Sequence, residues 1–504
     1  MSTLAEAVAR GKRLDCLKPW PRILVDQATW MRAAREISKG EGDLVALWSD
    51  GRDLFMALRA KALPGPVVLT LPATDGAFHA IGRMHPPAQR LERAIADLYG
   101  LVPEGAADDR PWIDHGVWGV RHPAGAASAR EPAPVSYKFL AAEGAPLHQI
   151  PVGPVHAGII EPGHFRFSAN GETVVRLEER LGYTHKGTET LMRGASCAQA
   201  ARFAGRVSGD STVAYAWAFS DAVESALGVE APARAKALRG VMAELERIAN
   251  HLGDVGAICN DAAFAVMQAH CAVLREQVLR ASGTAFGHRL MMDAISPGGV
   301  VADLPPEGAR AILDALAEVE RTFPAMMRVY DSTASLQDRT VSTGRVSHAL
   351  VAQFAAGGFV GRAAGRDFDA RKALPYAPYD TLEFEVPVLT AGDVDARLRV
   401  RALEIAQSTA ILRKLLETLP AGPLSVDLPQ PEKSCEGLSL IEGFRGDIFV
   451  WVRLDAQGAA ARAHLRDPSW FQWPLLEVAI EGNIVADFPL CNKSFNCSYS
   501  GHDV

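Results

Sequence analysis

The sequence predicts an α+β protein: a small N-terminal α/β domain over residues 1–102, a linker over 103–145, and a mainly helical domain over 146–504 that opens with a β-hairpin or small sheet. Three observations point there. Short apolar runs alternate with a helix-period segment early in the chain, a proline- and glycine-rich stretch without periodicity follows, and long segments of helical periodicity fill the middle.

In the front part, residues 22–25, 44–48 and 67–71 are apolar runs of strand length. Residues 89–99 read as a helix, with Leu91, Ile95 and Leu98 at i, i+4 and i+7. From 103 to 134 come Pro103, Gly105, Asp108, Asp109, Pro111, Pro123, Gly125, Pro132 and Pro134, a density that ends regular structure. The large domain starts with extended runs at 150–155, 165–167 and 173–177. The last two flank Asn170-Gly171, a pair that tolerates positive φ and signals a hairpin. Of the helices that follow, 231–253 is the clearest. Val241, Leu245, Ile248 and Leu252 form its apolar stripe, and Glu244, Arg247 and His251 form a polar one. That polar stripe reads either as a salt-bridged or solvated face or as a proton-handling one. A second break over 419–431 carries Pro420, Gly422, Pro423, Pro429 and Pro431; a strand-like 448–452 and a tail follow it.

Of 504 residues, 48% are hydrophobic and 22% charged, which suits a packed core and not a disordered chain. Lysine and arginine number 52 against 59 acids, a net charge of −7, so no nucleic-acid partner is expected. Seven cysteines (16, 197, 259, 271, 435, 491 and 497) include no Cys-x-x-Cys, which speaks against a zinc ribbon or a cysteine-held cluster and for a reducing compartment. The first fifteen residues carry Glu6, Arg10, Lys12 and Arg13 without an apolar stretch, so no secretory signal is expected. A spanning helix needs about 20 apolar residues. The run 262–274 falls short: Asp261 and Arg275 bound it, and Gln268 and His270 interrupt it. Any membrane association must therefore come through partners. No glycine-rich dinucleotide fingerprint opens a helix, so any dinucleotide is expected to bind elsewhere than on this chain.

Several segments in order then resemble one superfamily. They are Gly153-Pro154-Val155-His156, Glu161-Pro162-Gly163-His164-Phe165-Arg166, Leu181-Gly182-Tyr183-Thr184-His185-Lys186-Gly187, Arg206-Val207-Ser208-Gly209-Asp210, Glu244-Leu245-Glu246-Arg247, Ser296-Pro297-Gly298-Gly299-Val300 and 379–387. Together they resemble the large subunit of membrane-bound (group 4) nickel–iron hydrogenases and its relative, the D-type subunit of NADH-quinone oxidoreductase (respiratory complex I). Residues 92–101 resemble the C-type subunit of the latter more faintly, implying a fusion of the two in that order.

The departures bear on the chemistry. Family hydrogenases hold nickel and iron with two Cys-x-x-Cys pairs. Aligned here, these fall on Ser208 and Ser211, and on Ser498 and Gly501. Serine hydroxyls stay protonated near neutral pH and are poor donors to soft metals. Cys491 and Cys497, with five residues between them, lie outside those positions and read as small buried residues. No metal and no hydrogenase activity are expected. In the complex I branch the same cavity receives a quinone headgroup through a tyrosine and a histidine; here the tyrosine position aligns with Gly209, and His156 matches the histidine.

The resemblance therefore implies a quinone or cavity set of His156, Ser208, Gly209 and Ser211. Glu161 and Asp210 become proton-relay candidates, one of them with a raised pKa. The bland readings are that Glu161 pairs with Arg166 or His164, and that Asp210 or Ser211 caps the helix starting near Thr212. His185, Lys186 and Arg289 are expected beside the iron–sulfur cluster of a small partner subunit, where positive charge raises the cluster potential. The implied protein is a peripheral subunit on the cytoplasmic side of the inner membrane. It belongs to a hetero-oligomeric oxidoreductase with a small iron–sulfur subunit and membrane antiporter-like subunits. Such a subunit passes electrons to an acceptor, a quinone foremost, or alternatively serves as a non-redox coupling subunit with a vestigial metal cavity.

Overall fold

The computed structural model describes residues 3–144 and 146–504. The first two residues of the expected front domain and the last of the expected linker lie outside the described residues.

Helix α1 (Leu4–Arg10) begins on Thr3, whose side chain accepts from the Glu6 amide while the Glu6 carboxylate takes the Thr3 amide. Strands β1 (Lys12–Leu14), β2 (Leu17–Lys18) and β3 (Arg22–Leu24) lead to α2 (Gln27–Ser38), capped by Asp26. Trp30, Ala33, Ala34 and Ile37 recur at i, i+3, i+4 and i+7 of α2 and are buried. Strands β4 (Gly42–Ser49), β5 (Asp53–Ala60) and β6 (Val67–Pro72) complete a sheet of order β1-β3-β6-β5-β4, covered by α2 and by α3 (Gln89–Tyr99). The expected strands and helix are present. Strand β5 is an addition: it is central, Leu54–Leu58 are all buried, and an apolar run buried on both faces lacks the alternation that marks a strand.

Strand β2 leaves this sheet and pairs in parallel with a strand more than four hundred residues later, Leu17 opposite Glu436. Arg22 reinforces the joint with ion pairs to Asp53 (3.2 Å) and Glu436 (2.7 Å). Trp30, Leu54 and Leu91 share one apolar cluster with Phe165, Trp473 and Phe488, so the hydrophobic core runs through residue 102. Residues 103–144 hold no helix and only the short strands Val102–Glu104, Val120–Arg121 and Ser128–Ala129, but the segment is not free. Trp112 and Ile113 are buried, the Asp97 carboxylate accepts from the amides of Trp112, Ile113 and Asp114, and Arg90 and Arg93 lie over the Trp112 ring.

The large domain opens with antiparallel β7 (His148–Val152), β8 (His164–Asn170) and β9 (Thr173–Arg180), turned through Asn170-Gly171. Then come the helices α4 (Thr212–Leu227), α5 (Ala233–Asp261), α6 (Ala265–Phe286), α7 (Pro306–Ser332) and α8 (Val394–Glu417). A meander, β10 (Cys435–Gly443), β11 (Gly446–Leu454) and β12 (Ala460–Arg466), packs on α4 and takes β2 as its fourth strand. Where the sequence reads as a tail, three helices follow: α9 (Ser469–Ala479), α10 (Phe488–Phe495) and α11 (Tyr499–His502). The α+β expectation is borne out. Among the described residues no helix is long and apolar enough to cross a membrane.

Candidate functional site

Four separate pieces of chain meet at one place. The β7–β8 loop brings His156 and Glu161, the tight turn Gly209–Ser211 before α4 brings Ser208, Asp210 and Ser211, the β10–β11 turn brings Arg445, and α11 with its cap brings Ser498 to Gly501. The turn chemistry explains the approach at Arg445. Gly446 sits at φ 134, and Gly358 (φ 64) lies so close that an added Cβ would fall 1.9 Å from the Arg445 carbonyl.

All four aligned ligand positions converge. The Ser498 hydroxyl donates to Ser208 Oγ at 3.1 Å, and the Gly501 amide donates to Ser498 Oγ at 2.9 Å. Ser208 in turn donates to Asp210 Oδ1 at 2.6 Å. Arg445 grips both Asp210 oxygens, at 2.9 and 2.6 Å, and reaches Ser211 Oγ at 3.2 Å. A guanidinium and a carboxylate thus clasp each other where the aligned thiolates would stand.

This donor set does not fit nickel and iron. Its members are three hydroxyls already engaged with one another or with Arg445, and a glycine. A Cβ at 501 would lie 2.5 Å from Asp467 Oδ2 and 2.8 Å from Ser498 Oγ. The Asp467 carboxylate cannot swing aside, because Tyr215 Oη (2.6 Å) and the Ser469 amide (2.8 Å) hold it. Among the described residues, no three His, Cys, Asp or Glu side chains are grouped to hold a metal ion. Cys491 and Cys497 are buried, and burial pushes the Cys491 thiol up to about 11 and the Cys497 thiol up as well.

The two carboxylates behave differently from expectation. Desolvation opposes ionisation of Asp210, but Arg445 and the Ser208 hydroxyl outweigh it and hold the carboxyl well below the usual range. Neither Asp210 nor Ser211 caps α4 through its side chain. Glu246 of α5 takes that place, accepting from the amides of Val213 (2.7 Å) and Ala214 (3.2 Å). Burial pushes its carboxyl up to about 8. The elevated acid beside the site is therefore Glu246, not Asp210. Glu161 does not pair with Arg166 or His164. It accepts from the Ser500 amide at 3.0 Å, while Arg166 bonds Gln149 and His164. Glu161 and Asp210 are linked through the Ser498–Gly501 turn.

At Gly209 the nearest atom to an added Cβ is Met292 Cε at 3.9 Å, so the position is open and offers no donor. A tyrosine nevertheless reaches the site from elsewhere. Tyr499 Oη and His156 Nε2 are 3.3 Å apart. Burial lowers the His156 pKa and raises that of Tyr499, so both are neutral near pH 7. Neither Tyr499 nor Arg445 stands out by periodicity. The available signal for Tyr499 is its place between aligned positions 498 and 501.

Two of the three cluster-side candidates touch the same structure. His185 Nδ1 lies 3.0 Å from the Asp503 carbonyl and its ring packs on Trp118. Lys186 Nζ donates to the carbonyls of Arg206 and Val207 at 2.8 and 2.9 Å, tying this loop to the serine turn. Arg289 instead pairs with Glu276 on an exposed surface.

Known proteins are similar to this chain over two thirds or more of its length. Residues 261–435 match the family described as respiratory-chain NADH dehydrogenase, 49 Kd subunit. The chain is 30% identical to the carbon monoxide-induced hydrogenase of Rhodospirillum rubrum, over 69% of this chain and 97% of that one. It is 31% identical to the D-type subunit of NADH-quinone oxidoreductase from Dehalococcoides mccartyi, over 67% of this chain and 92% of that one. A chain of the membrane-bound sulfane sulfur reductase, an archaeal respiratory membrane complex, superposes with a TM-score of 0.67 at 25% identity, covering 71% of this chain and 98% of that one.

Proposed function

Because the chain belongs to the family of hydrogenase large subunits and D-type subunits of NADH-quinone oxidoreductase, we propose that it lines the electron-acceptor site of a membrane oxidoreductase complex, with a quinone as the acceptor. The supporting observation is the Tyr499–His156 pair. A phenol kept protonated by burial is a hydrogen-bond donor, and a neutral imidazole can accept or supply a proton. A quinone when bound supplies a carbonyl oxygen for such a donor and takes up two electrons. Glu161, fixed by the Ser500 amide, is the carboxylate nearest in sequence to His156 and serves as the proton entry. Asp210, locked to Arg445, has the structural role of keeping the former metal site closed.

In this reading the His185–Lys186 loop faces an iron–sulfur cluster on a small partner subunit, and Arg289 is an outlying surface cation. Antiporter-like subunits anchor the complex, the chain lies peripherally on the cytoplasmic side of the inner membrane, and any NADH binds another subunit. This chain holds no metal and no cofactor alone.

The test uses the complex purified from native membranes. Tyr499→Phe and His156→Gln are expected to assemble normally and to lose at least about tenfold in quinone reduction, corresponding to about 1.4 kcal/mol. Full quinone-reductase rates in both variants contradict the reading. A second reading, a coupling subunit without acceptor chemistry, is favoured by the Asp210–Arg445 clasp that fills the cavity. It makes Tyr499→Phe silent and places the defect in Arg445→Met.

A further inference from the structure

Eight ionisable side chains without exposed surface form one closed set of ion pairs inside the large domain. Glu244 pairs with Arg247 (3.3 Å) and Arg371 (2.9 Å), and Arg371 pairs with Asp369 (2.7 Å). Arg362 joins Asp369 (3.4 Å), Glu404 (2.7 Å) and Glu442 (2.9 Å). Glu404 closes the set on His251 (2.7 Å) and Arg247 (3.9 Å). All eight side chains are 0% exposed. Among the described residues, none of them makes an ion pair outside the set.

The charges do not balance. Glu244, Asp369, Glu404 and Glu442 bring four negative charges, and Arg247, Arg362 and Arg371 bring three positive ones; 3 − 4 = −1. A net charge sealed from water is costly, so the set takes up one proton. Hydrogen bonding shows where. His251 turns Nε2 to Glu404, and its Nδ1 has no partner, so a second N–H there would be buried without an acceptor. Glu244 accepts from Arg371, Tyr379 and Ser408, and Asp369 is bonded twice by Arg371. Glu404 accepts from Arg362 and His251. Glu442 is the weakest held: one guanidinium nitrogen, Arg362 Nη1 at 2.9 Å, and one amide, Ala370 at 2.9 Å.

We propose that Glu442 is a proton-binding site, holding the one proton that neutralises the buried set. Glu442 faces Arg362, the Asp369 carboxylate and the Ala370 amide. Its own amide donates to Tyr376 Oη at 3.0 Å, and Asp447, paired with Arg466, lies past the turn. Arg247 of α5 donates to the Glu442 and Gly443 carbonyls at 2.8 and 3.0 Å, fixing the strand end that carries Arg445 to Asp210. Burial and the Asp369 carboxylate push the Glu442 carboxyl up to about 7, against the pull of Arg362. The arginines hold Glu244 and Asp369 low.

Infrared spectroscopy on the intact chain tests this. The wild type is expected to show a protonated-carboxyl stretch that shifts in D2O and with carbon-13-labelled glutamate, and that vanishes as pH rises through about 7. Glu442→Gln is expected to lack that component, and its thermal stability to lose the Glu442 share of the wild-type decline over the same range. The sign follows from a folded pKa above the unfolded one: the contribution is complete below about 4.5 and is lost as pH rises through about 7. Nitrogen-15 spectra of labelled histidine, which need no variant, are expected to keep His251 neutral. A doubly protonated His251, or a wild type minus Glu442→Gln difference spectrum with no glutamate carboxyl band that titrates near neutrality, overturns the proposal.

Discussion

Asp210 and Gly501 show how single neighbours reassign a position. Asp210 looks like a relay acid until Arg445 arrives from a turn 235 residues later and fixes its charge. Its folded pKa lies below the unfolded value, so its contribution is present above about 3.8 and is lost as pH falls below that. Because 38% of the side chain remains exposed, solvent screens the pair. Asp210→Asn is expected to destabilise by about 1–2 kcal/mol, short of the about 3–5 kcal/mol of a sealed ion pair, measured by denaturant unfolding. Gly501→Cys drives a Cβ against the fixed Asp467 carboxylate. It is expected to lower stability by about 1–3 kcal/mol, measured by denaturant unfolding. The resemblance made the four aligned positions legible as one site. Arg445, Tyr499 and Asp467 were not legible, because their roles come from long-range packing and no periodic pattern marks them.

At the scale of elements, the α4 N-terminus is capped from another helix. The sequence around Ser211 offers two short polar residues of the type that caps locally, yet the first free amides of α4 turn to Glu246. Glu246→Ala is expected to cost about 1–2 kcal/mol and to loosen protection of the Val213 and Ala214 amides in hydrogen exchange. Glu246 titrates higher folded than unfolded. Its contribution is therefore complete below about 4.5 and fades as pH rises through about 8, and Glu246→Gln is expected to remove that dependence. Elements with clear periodicity or turn chemistry were legible: α3, α5 and the Asn170-Gly171 hairpin lie where their residues indicate. Strand β5 was not, because an apolar run buried on both faces does not distinguish strand from helix. The polar stripe of α5 was legible as a stripe. Its interior position was not, since the arginines and acids that neutralise Glu244, Arg247 and His251 lie on other elements.

For the whole molecule, the front sheet packs into the large domain through two shared apolar clusters. Strand β2 belongs to the C-terminal sheet, Arg22 bridges the two sheets, and Trp48 packs on Phe449 and Trp451. Composition over 103–145 reveals missing helix and strand but not packing, which is why a segment that reads as a linker holds buried Trp112. Residues 1–145 expressed alone are accordingly expected to show no cooperative thermal transition, whereas an independent domain would unfold sharply.

At the four positions where the resemblance implies metal-binding cysteines, the chain carries a guanidinium–carboxylate clasp, with a tyrosine–histidine pair beside it. Elemental analysis of the complex purified from native membranes tests it most directly. Nickel far below one atom per chain is the result expected; stoichiometric nickel that stays with the complex through purification would contradict it.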